Sequence, residues 1–409
     1  MIQSWHLPFW GYLMFRLKHL RHLTVFALLA VAACGRQSTV TVTVDPTDTT
    51  VSEQPTATLV QSHPTIEAPP SPIVLPTSTE IAASGPTDYP AGVNPLTGLK
   101  VASPEKLERR PLLIKVSNFP RGNRPQWGLS LADLVFEHYT EAGSTRFSVL
   151  FFGSDAERVM PIRSARFFDV ELIRMYNAIF AFGSADSRVR ARIYGSELAN
   201  LAVSEFPAGC PPMCRYDPAN YNHLVAKTAD LQAYSEGLGV SNDRPPLEGM
   251  AFDYQVPQGG EPGLKLDLRY SLAAFNQWTY DTESGLYLRA QETGVDQFEV
   301  APLEDAITGQ RIAASNVIVI FVLHEYYLVS PEMIDIRIYG RGPALVFRDG
   351  QVFSVTWVRD GQYNVLTFET NDGQPFPMKP GNSWIEVVGS TSEIEVPEAD
   401  AWTVRFSIP

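Results

Sequence analysis

Cysteine is nearly absent from this chain, with 3 in 409 residues, and histidine is scarce at 7. So few thiols exclude a disulfide-built scaffold and an iron–sulfur protein. Basic residues are also in deficit: 32 Lys+Arg stand against 45 Asp+Glu, a formal net charge of −13. A generic nucleic-acid binder needs a basic footprint, so no nucleic acid is expected as a partner. No apolar run reaches the roughly 20 residues that span a bilayer. Missing too are a Gly-x-x-x-x-Gly-Lys loop, a Gly-x-Gly-x-x-Gly turn after a strand, a His-Glu-x-x-His helix and a Gly-x-Ser-x-Gly elbow. No cofactor and no metal are expected.

What is present is unevenly distributed. Arg16, Lys18 and Arg21 precede an apolar run over 23–33, which ends in Ala32 and Ala33 directly before Cys34. At about ten residues the run is too short to cross a membrane and has the form of a secretory signal peptide. Small residues before a cysteine resemble a bacterial lipobox. That resemblance implies cleavage after residue 33 and acylation of Cys34 with palmitate-type chains. Residues 1–13 carry no charge and four aromatics, Trp5, Phe9, Trp10 and Tyr12, which is unusual ahead of a signal peptide. Met14 is therefore expected to be the true start.

Residues 34–92 are expected to form a disordered tether. Between 35 and 92 there are 18 Ser/Thr and 9 Pro, with Tyr89 the only aromatic. Such a segment cannot bury enough surface to offset its ordering entropy, and its composition suits O-glycosylation. Removal of the leader takes three basic and no acidic residues with it, leaving a mature net charge of −16. An anionic surface repels such a domain, so the lipid is the expected membrane contact.

Residues 93–245 alternate between strand and helix patterns: strands at 112–116, 134–138, 147–152 and 179–182, helices at 165–178, 186–194 and 224–238. An α+β or α/β domain is expected. From 246 to 409 the pattern is almost purely β, with strands at 264–270, 278–281, 287–290, 316–329 and 334–338. Asp349-Gly350, Asp360-Gly361 and Asp372-Gly373 supply turn signals. This half should be a mainly antiparallel sheet or barrel. Its tryptophans and tyrosines (Trp278, Trp357, Trp384, Tyr326, Tyr327) suggest core packing before a sugar platform.

Cys210 and Cys214 stand in Cys-Pro-Pro-Met-Cys. An exported compartment permits a disulfide, while free thiols and a metal site with His223 stay open as alternatives. His138 and His324 lie in strand-like runs and suit satisfied packing roles. The concentration of charge in the first domain is the remaining chemical signal. Glu137, Glu141 and Arg146 surround a turn, Arg163, Ser164 and Arg166 precede a helix, and Asp186 precedes another. Guanidiniums and hydroxyls where strands hand over to helices suit an anion-binding crevice. A purely structural set of ion pairs has the same sequence signature. Glu137 and Glu141 also offer a carboxylate pair, although on one strand they would stand about 13 Å apart at ~3.3 Å per residue.

Asn94-Pro-Leu-Thr-Gly98, Arg124-Pro-Gln-Trp-Gly-Leu129, Ala132-Asp133-Leu-Val-Phe-Glu137, Thr145-Arg146-Phe147, Pro161-Ile-Arg-Ser-Ala-Arg166 and Pro380-Gly-Asn-Ser-Trp-Ile385 follow one another in order. Together they resemble the YerB-like lipoprotein family over about residues 93–390. The resemblance implies an N-terminal domain of unknown function, a β-rich C-terminal domain and a lipid anchor. It supplies no catalytic residues. Phe182-Gly-Ser-Ala-Asp186 departs from the Gly-Gly-Ser type of segment expected there, and the Cys210/Cys214 pair lies outside the resemblance.

Three readings follow. The first is a non-enzymatic, lipid-anchored extracytoplasmic protein that binds an envelope ligand or protein partner, anionic in character. The second is an envelope enzyme using Glu137, Glu141, Arg163 and Arg166 on a glycan or phosphorylated substrate. The third is a structural scaffold. All share an exported location on the membrane. Replacing Cys34→Ser is expected to move the protein from the membrane to the soluble fraction on cell fractionation. Continued membrane retention of that variant would refute the lipid anchor.

Overall fold

Apolar, β-branched and aromatic runs set the strands. A computed structural model describes residues 83–220, 222–295 and 298–409. The leader, Met14, Cys34 and most of the tether lie outside the described residues. Five strands and two helices open the fold: β1 (Leu112–Ser117), β2 (Leu134–Tyr139), β3 (Thr145–Phe151), α1 (Phe167–Tyr176), β4 (Ile179–Phe182), α2 (Ser187–Tyr194) and β5 (Ala202–Ser204). The expected α/β first half and mostly β second half are what the structure has.

Three expectations shift. The stretch 224–238 splits into a strand, Leu224–Ala226, and a helix, Thr228–Gly237. The run 316–329 breaks at Leu323, where the chain leaves the main sheet and His324–Leu328 pairs with Met333–Ile336 as a separate hairpin. The last ten residues assigned to the tether belong to the folded body. There Ser84 exchanges two backbone hydrogen bonds with Phe252, and the Tyr89 hydroxyl donates to the Met250 carbonyl. The lone aromatic of that segment gives it something to bury.

The boundary placed at 245/246 does not separate two sheets. One 11-stranded sheet runs through both halves; ten of its strands follow the order Thr367–Glu369, Gln351–Arg359, Gly340–Arg348, Asn316–Val322, Ser383–Gly389, β2, β3, β1, β4, β5, and Glu261–Pro262 pairs with Gln351–Arg359 beside them. Asp349 and Gly350 both take positive φ (52° and 72°) in its tightest hairpin, as their sequence signals. The strand Ser383–Gly389 pairs in parallel with β2 on one side and with Asn316–Val322 on the other. β1, β4 and β5 are mutually parallel, and β3 is antiparallel to both β1 and β2. Gln351–Arg359 runs the same way, two antiparallel steps from Asn316–Val322, so seven strands run in one direction and their carboxyl ends share one edge.

Alternation along β2 places the layers. Phe136 and His138 face α1, with Phe136 against Phe168 and Tyr176 at 6.3 and 6.0 Å between ring centres. Glu137 faces the other way, onto a second, seven-stranded sheet that includes Lys265–Arg269, Phe275–Asp281 and Leu286–Glu292. The core is thus a helix layer, a long sheet and a shorter sheet. Trp278, Trp384 and Trp357 are buried in it, whereas Tyr326 and Tyr327 are about half exposed.

At the centre of the two sheets lies Arg289, fully buried between two carboxylates. Its guanidinium reaches Glu137 Oε2 at 2.6 Å and Glu386 Oε1 at 3.0 Å. Phe147, Trp278 and Trp384 surround it, with ring centres 5.6, 5.2 and 4.6 Å from the guanidinium carbon. Glu137 also accepts from Thr145, Asn118 and Asn276. Register explains the meeting: Glu137 and Glu386 are direct partners across parallel strands.

Two buried carboxylates beside one cation leave one charge in excess. Hydrogen-bond accounting removes it. Tyr270 Oη lies 3.1 Å from the Glu137 carbonyl and 3.0 Å from Glu386 Oε2. Its single proton serves only one of these acceptors unless Glu386 is itself protonated, in which case the acid donates to Tyr270 Oη and the hydroxyl to the carbonyl. Burial first, and then the neighbouring Glu137, hold the Glu386 carboxyl well above its ordinary range. Arg289→Met should therefore cost about 3–5 kcal/mol in urea denaturation at neutral pH, while Glu386→Gln should stay within about 1 kcal/mol. Equal losses in the two variants would show that Glu386 carries a charge.

Candidate functional site

The charged residues singled out in the first half separate into two places. Glu137 is not part of a crevice. It is 1% exposed and locked to Arg289, so it forms no open carboxylate pair with Glu141. Its position on an inward-facing strand register, hidden in sequence, is the physical reason. Asp186 also stands apart in its bonding. It caps α2 by accepting from the Arg188 backbone N–H at 2.9 Å and pairs with the Arg188 side chain.

The other residues converge at the carboxyl edge of the parallel strands. Glu141 lies in the turn after β2, Arg146 is the second residue of β3, and Arg166 is the residue before α1. Arg166 Nε donates to Glu141 Oε2 at 2.6 Å, and its Nη2 donates to Glu141 Oε1. Arg146 Nη2 reaches the same Oε1 at 2.9 Å, and its Nη1 donates to the Ser164 carbonyl at 2.7 Å. Arg163 Nε sits 3.3 Å from Ser117 Oγ at the end of β1. The Ser164 hydroxyl meets Ser184 Oγ at 2.9 Å, just past β4. Glu205 and Arg215, which pair with each other, complete the group from beyond β5.

Among the described residues, four guanidiniums (Arg146, Arg163, Arg166, Arg215) thus stand with two carboxylates (Glu141, Glu205). The imbalance has a visible cost. Burial first, and then the Arg166 charge, bring the Arg146 guanidinium down to about 9. Burial pushes the Glu141 carboxyl up, but Arg166 and Arg146 overcome this and leave it below the ordinary range. The recess lined by Arg163, Ser164, Ser184, Glu205 and Arg215 is about 10 Å³, a notch rather than a cavity. Arg215, Glu205 and Ser184 had no sequence signal that tied them to the group. Only the parallel order of β1, β4 and β5 brings them together.

Cys210 and Cys214 are disulfide-bonded, 4.7 Å apart at Cα, in the loop that leads into Arg215. His223 is not with them in a metal site. Among the described residues no group of three or more His, Cys, Asp and Glu is placed to hold a metal, and no helix is long and apolar enough to cross a membrane.

A second polar group lies beneath α1. Lys115 Nζ gives its protons to His138 Nε2 at 2.5 Å, Ser148 Oγ at 2.9 Å and Asp169 Oδ1 at 2.8 Å. Ser148 donates to the same Oδ1, and His138 Nδ1 donates to the Tyr139 carbonyl. All four side chains are sealed from solvent, so a set that looks reactive in composition is a closed packing network. Burial, then the Lys115 charge, depress the His138 ring.

Comparison with known proteins covers most of the chain. The profile for the N-terminal domain of a protein of unknown function, DUF3048, matches residues 96–241, and the profile for the DUF3048 C-terminal domain matches 266–385. The chain is 26% identical over 303 residues to "Putative lipoprotein YerB" of Bacillus subtilis (strain 168), covering 72% of this chain and 85% of that protein. Its fold matches the crystal structure of the YerB protein from Bacillus subtilis with a TM-score of 0.60 and 23% identity, over 75% of this chain and 97% of the other.

Buried His324 gives a pH test. Burial lowers its ring to about 4, whereas a free histidine titrates near 6.5. Between those values the unfolded chain binds more protons, so His324 erodes stability as pH falls through that window. Asp133, raised to about 6 by burial, acts in the opposite sense as pH falls below that value, so a difference profile is needed. The wild-type stability minus that of His324→Gln should fall by up to ~3 kcal/mol from pH 7 to 4 in urea titrations. A flat difference would show that His324 titrates normally.

Proposed function

We propose, for a chain that belongs to the DUF3048 family alongside YerB, that it is an exported lipoprotein held by acylated Cys34. Its folded body recognises an anionic group presented by an envelope polymer or a protein partner. The observation that carries this reading is the excess of guanidinium over carboxylate at the carboxyl edge of the parallel strands. That edge is where open α/β sheets bind ligands, because loops and helix N-termini converge there. Arg146, Arg166 and Arg163 are the recognition residues, with Ser164 and Arg215 beside them.

The shape of the site refines the ligand. A notch of about 10 Å³ has no room to engulf a free metabolite. Half-buried guanidiniums at a surface suit a phosphate or carboxylate that projects from a larger chain and is gripped at its periphery. The reading as an enzyme built on Glu137 and Glu141 loses its pair, since Glu137 is committed to Arg289.

Polyphosphate is a suitable probe of this site. The full chain should bind it at low salt, weaken as salt rises, and ignore neutral dextran. Combined Arg163→Gln and Arg166→Gln should reduce affinity by about tenfold or more, read by calorimetry, with unchanged circular dichroism. Undiminished binding in that double variant would remove the site from consideration.

A further inference from the structure

A larger opening lies on the opposite face of the long sheet from α1. The loop that follows β1 crosses to the second sheet and meets Leu286–Glu292 and Val300–Pro302. Between them is a cleft of about 440 Å³, within the roughly 300–1,000 Å³ of small-ligand sites. Arg121 and Arg124 stand on one wall, Pro125, Pro302 and Leu303 supply apolar surface, and Glu304 lies at the rim.

The two arginines are held differently. Arg124 is fixed: Nε donates to the Asn118 carbonyl and Oδ1 at 3.1 Å each, Nη1 to the Glu292 carbonyl at 3.0 Å, and Nη2 to Glu292 Oε1 at 2.8 Å. Arg121 donates through Nη2 to the Ala273 carbonyl at 2.7 Å, and its Nε lies 3.4 Å from the same Glu292 Oε1. Phe119 braces both guanidiniums from below, at 5.3 and 4.9 Å. Glu292 Oε2 accepts from Gln291, while its Oε1 is shared by the two guanidiniums. One buried carboxylate thus serves two cations, and Arg121 Nη1 donates to nothing among the described residues. Arg121 is 28% exposed, so this unspent edge is reachable.

We infer that this cleft binds a short peptide, with its terminal carboxylate on Arg121 and its ammonium group at Glu304. The two charges of opposite sign on the walls select a zwitterion. The exposed Pro125 and Pro302 between them offer contact to small apolar side chains. The notch and the cleft have no lining residue in common, so this inference does not rest on the anion-binding reading.

The probe is tri-alanine, titrated into the full chain by calorimetry. Saturable binding is expected, weakened about tenfold or more by C-terminal amidation and by Arg121→Gln, with partial recovery in Arg121→Lys. N-terminal acetylation should weaken it as well, and Glu304→Gln should erase the difference between acetylated and free peptide. Glu304 is exposed, so this second variant tests the site even where Arg121→Gln disturbs packing. Arg341→Gln, at an exposed arginine outside both sites, should leave tri-alanine binding unchanged. Absence of saturable binding at millimolar peptide, or binding indifferent to amidation and to Arg121→Gln, would overturn the assignment.

Discussion

Arg289 is the point on which the two halves of this chain depend. Its guanidinium comes from the second sheet and pairs with Glu137 from the first half of the chain and Glu386 from the second. A lone buried cation of this size costs several kcal/mol or more in lost hydration. It is tolerated because the carboxylates, Gln291 and three aromatic rings replace water around it. The geometry also works as a register check. A slip of one residue in either parallel pairing turns Glu137 or Glu386 to the helix face and strands the charge. The network is therefore better understood as specifying which strands sit together than as a source of net stability.

That specification sets the proposed recognition surface. Once Ser383–Gly389 is locked beside β2, the like-directed strands deliver their following loops to one edge. Arg146, Arg163, Arg166 and Arg215 come from different segments of the chain and meet only because of that order. Beneath them the Lys115 network closes the floor of the site with every donor matched, which keeps water out of the sheet–helix interface. A rigid, dry support holds the guanidiniums at fixed positions. This is what recognition by a few charge-assisted hydrogen bonds requires.

Local chemistry was legible in the sequence, and long-range pairing was not. Phe168, Leu172, Ile173 and Tyr176 announce α1 through helical spacing, and Asp349-Gly350 announces its hairpin. Leu224–Ala226 was hidden because three apolar residues ahead of a helix extend the helical pattern. Glu137 was misplaced for a deeper reason. Its charged neighbours in sequence are Glu141 and Arg146, whereas the cation that claims it, Arg289, and the carboxylate beside it, Glu386, are well over a hundred residues away. A carboxylate on a strand reads as exposed until a cation from elsewhere claims it. The same limit hid Arg215 and Glu205, and the cleft at Arg121, whose opposite wall is a strand from the other half.

Charge distribution connects these sites to the placement of the protein. The chain carries a net −13, yet guanidinium exceeds carboxylate at both the strand-edge notch and the Arg121–Arg124 wall. At physiological ionic strength fields fade over about 8 Å, so an approaching anion senses the local excess only when it is already close. At longer range the acidic body repels it. On the proposed reading a polyanion is gripped only where the arginines cluster at the strand-edge notch. The cleft, with Glu292 and Glu304 beside its two arginines, presents both signs and discriminates differently. Under that arrangement weak individual contacts still yield a defined orientation.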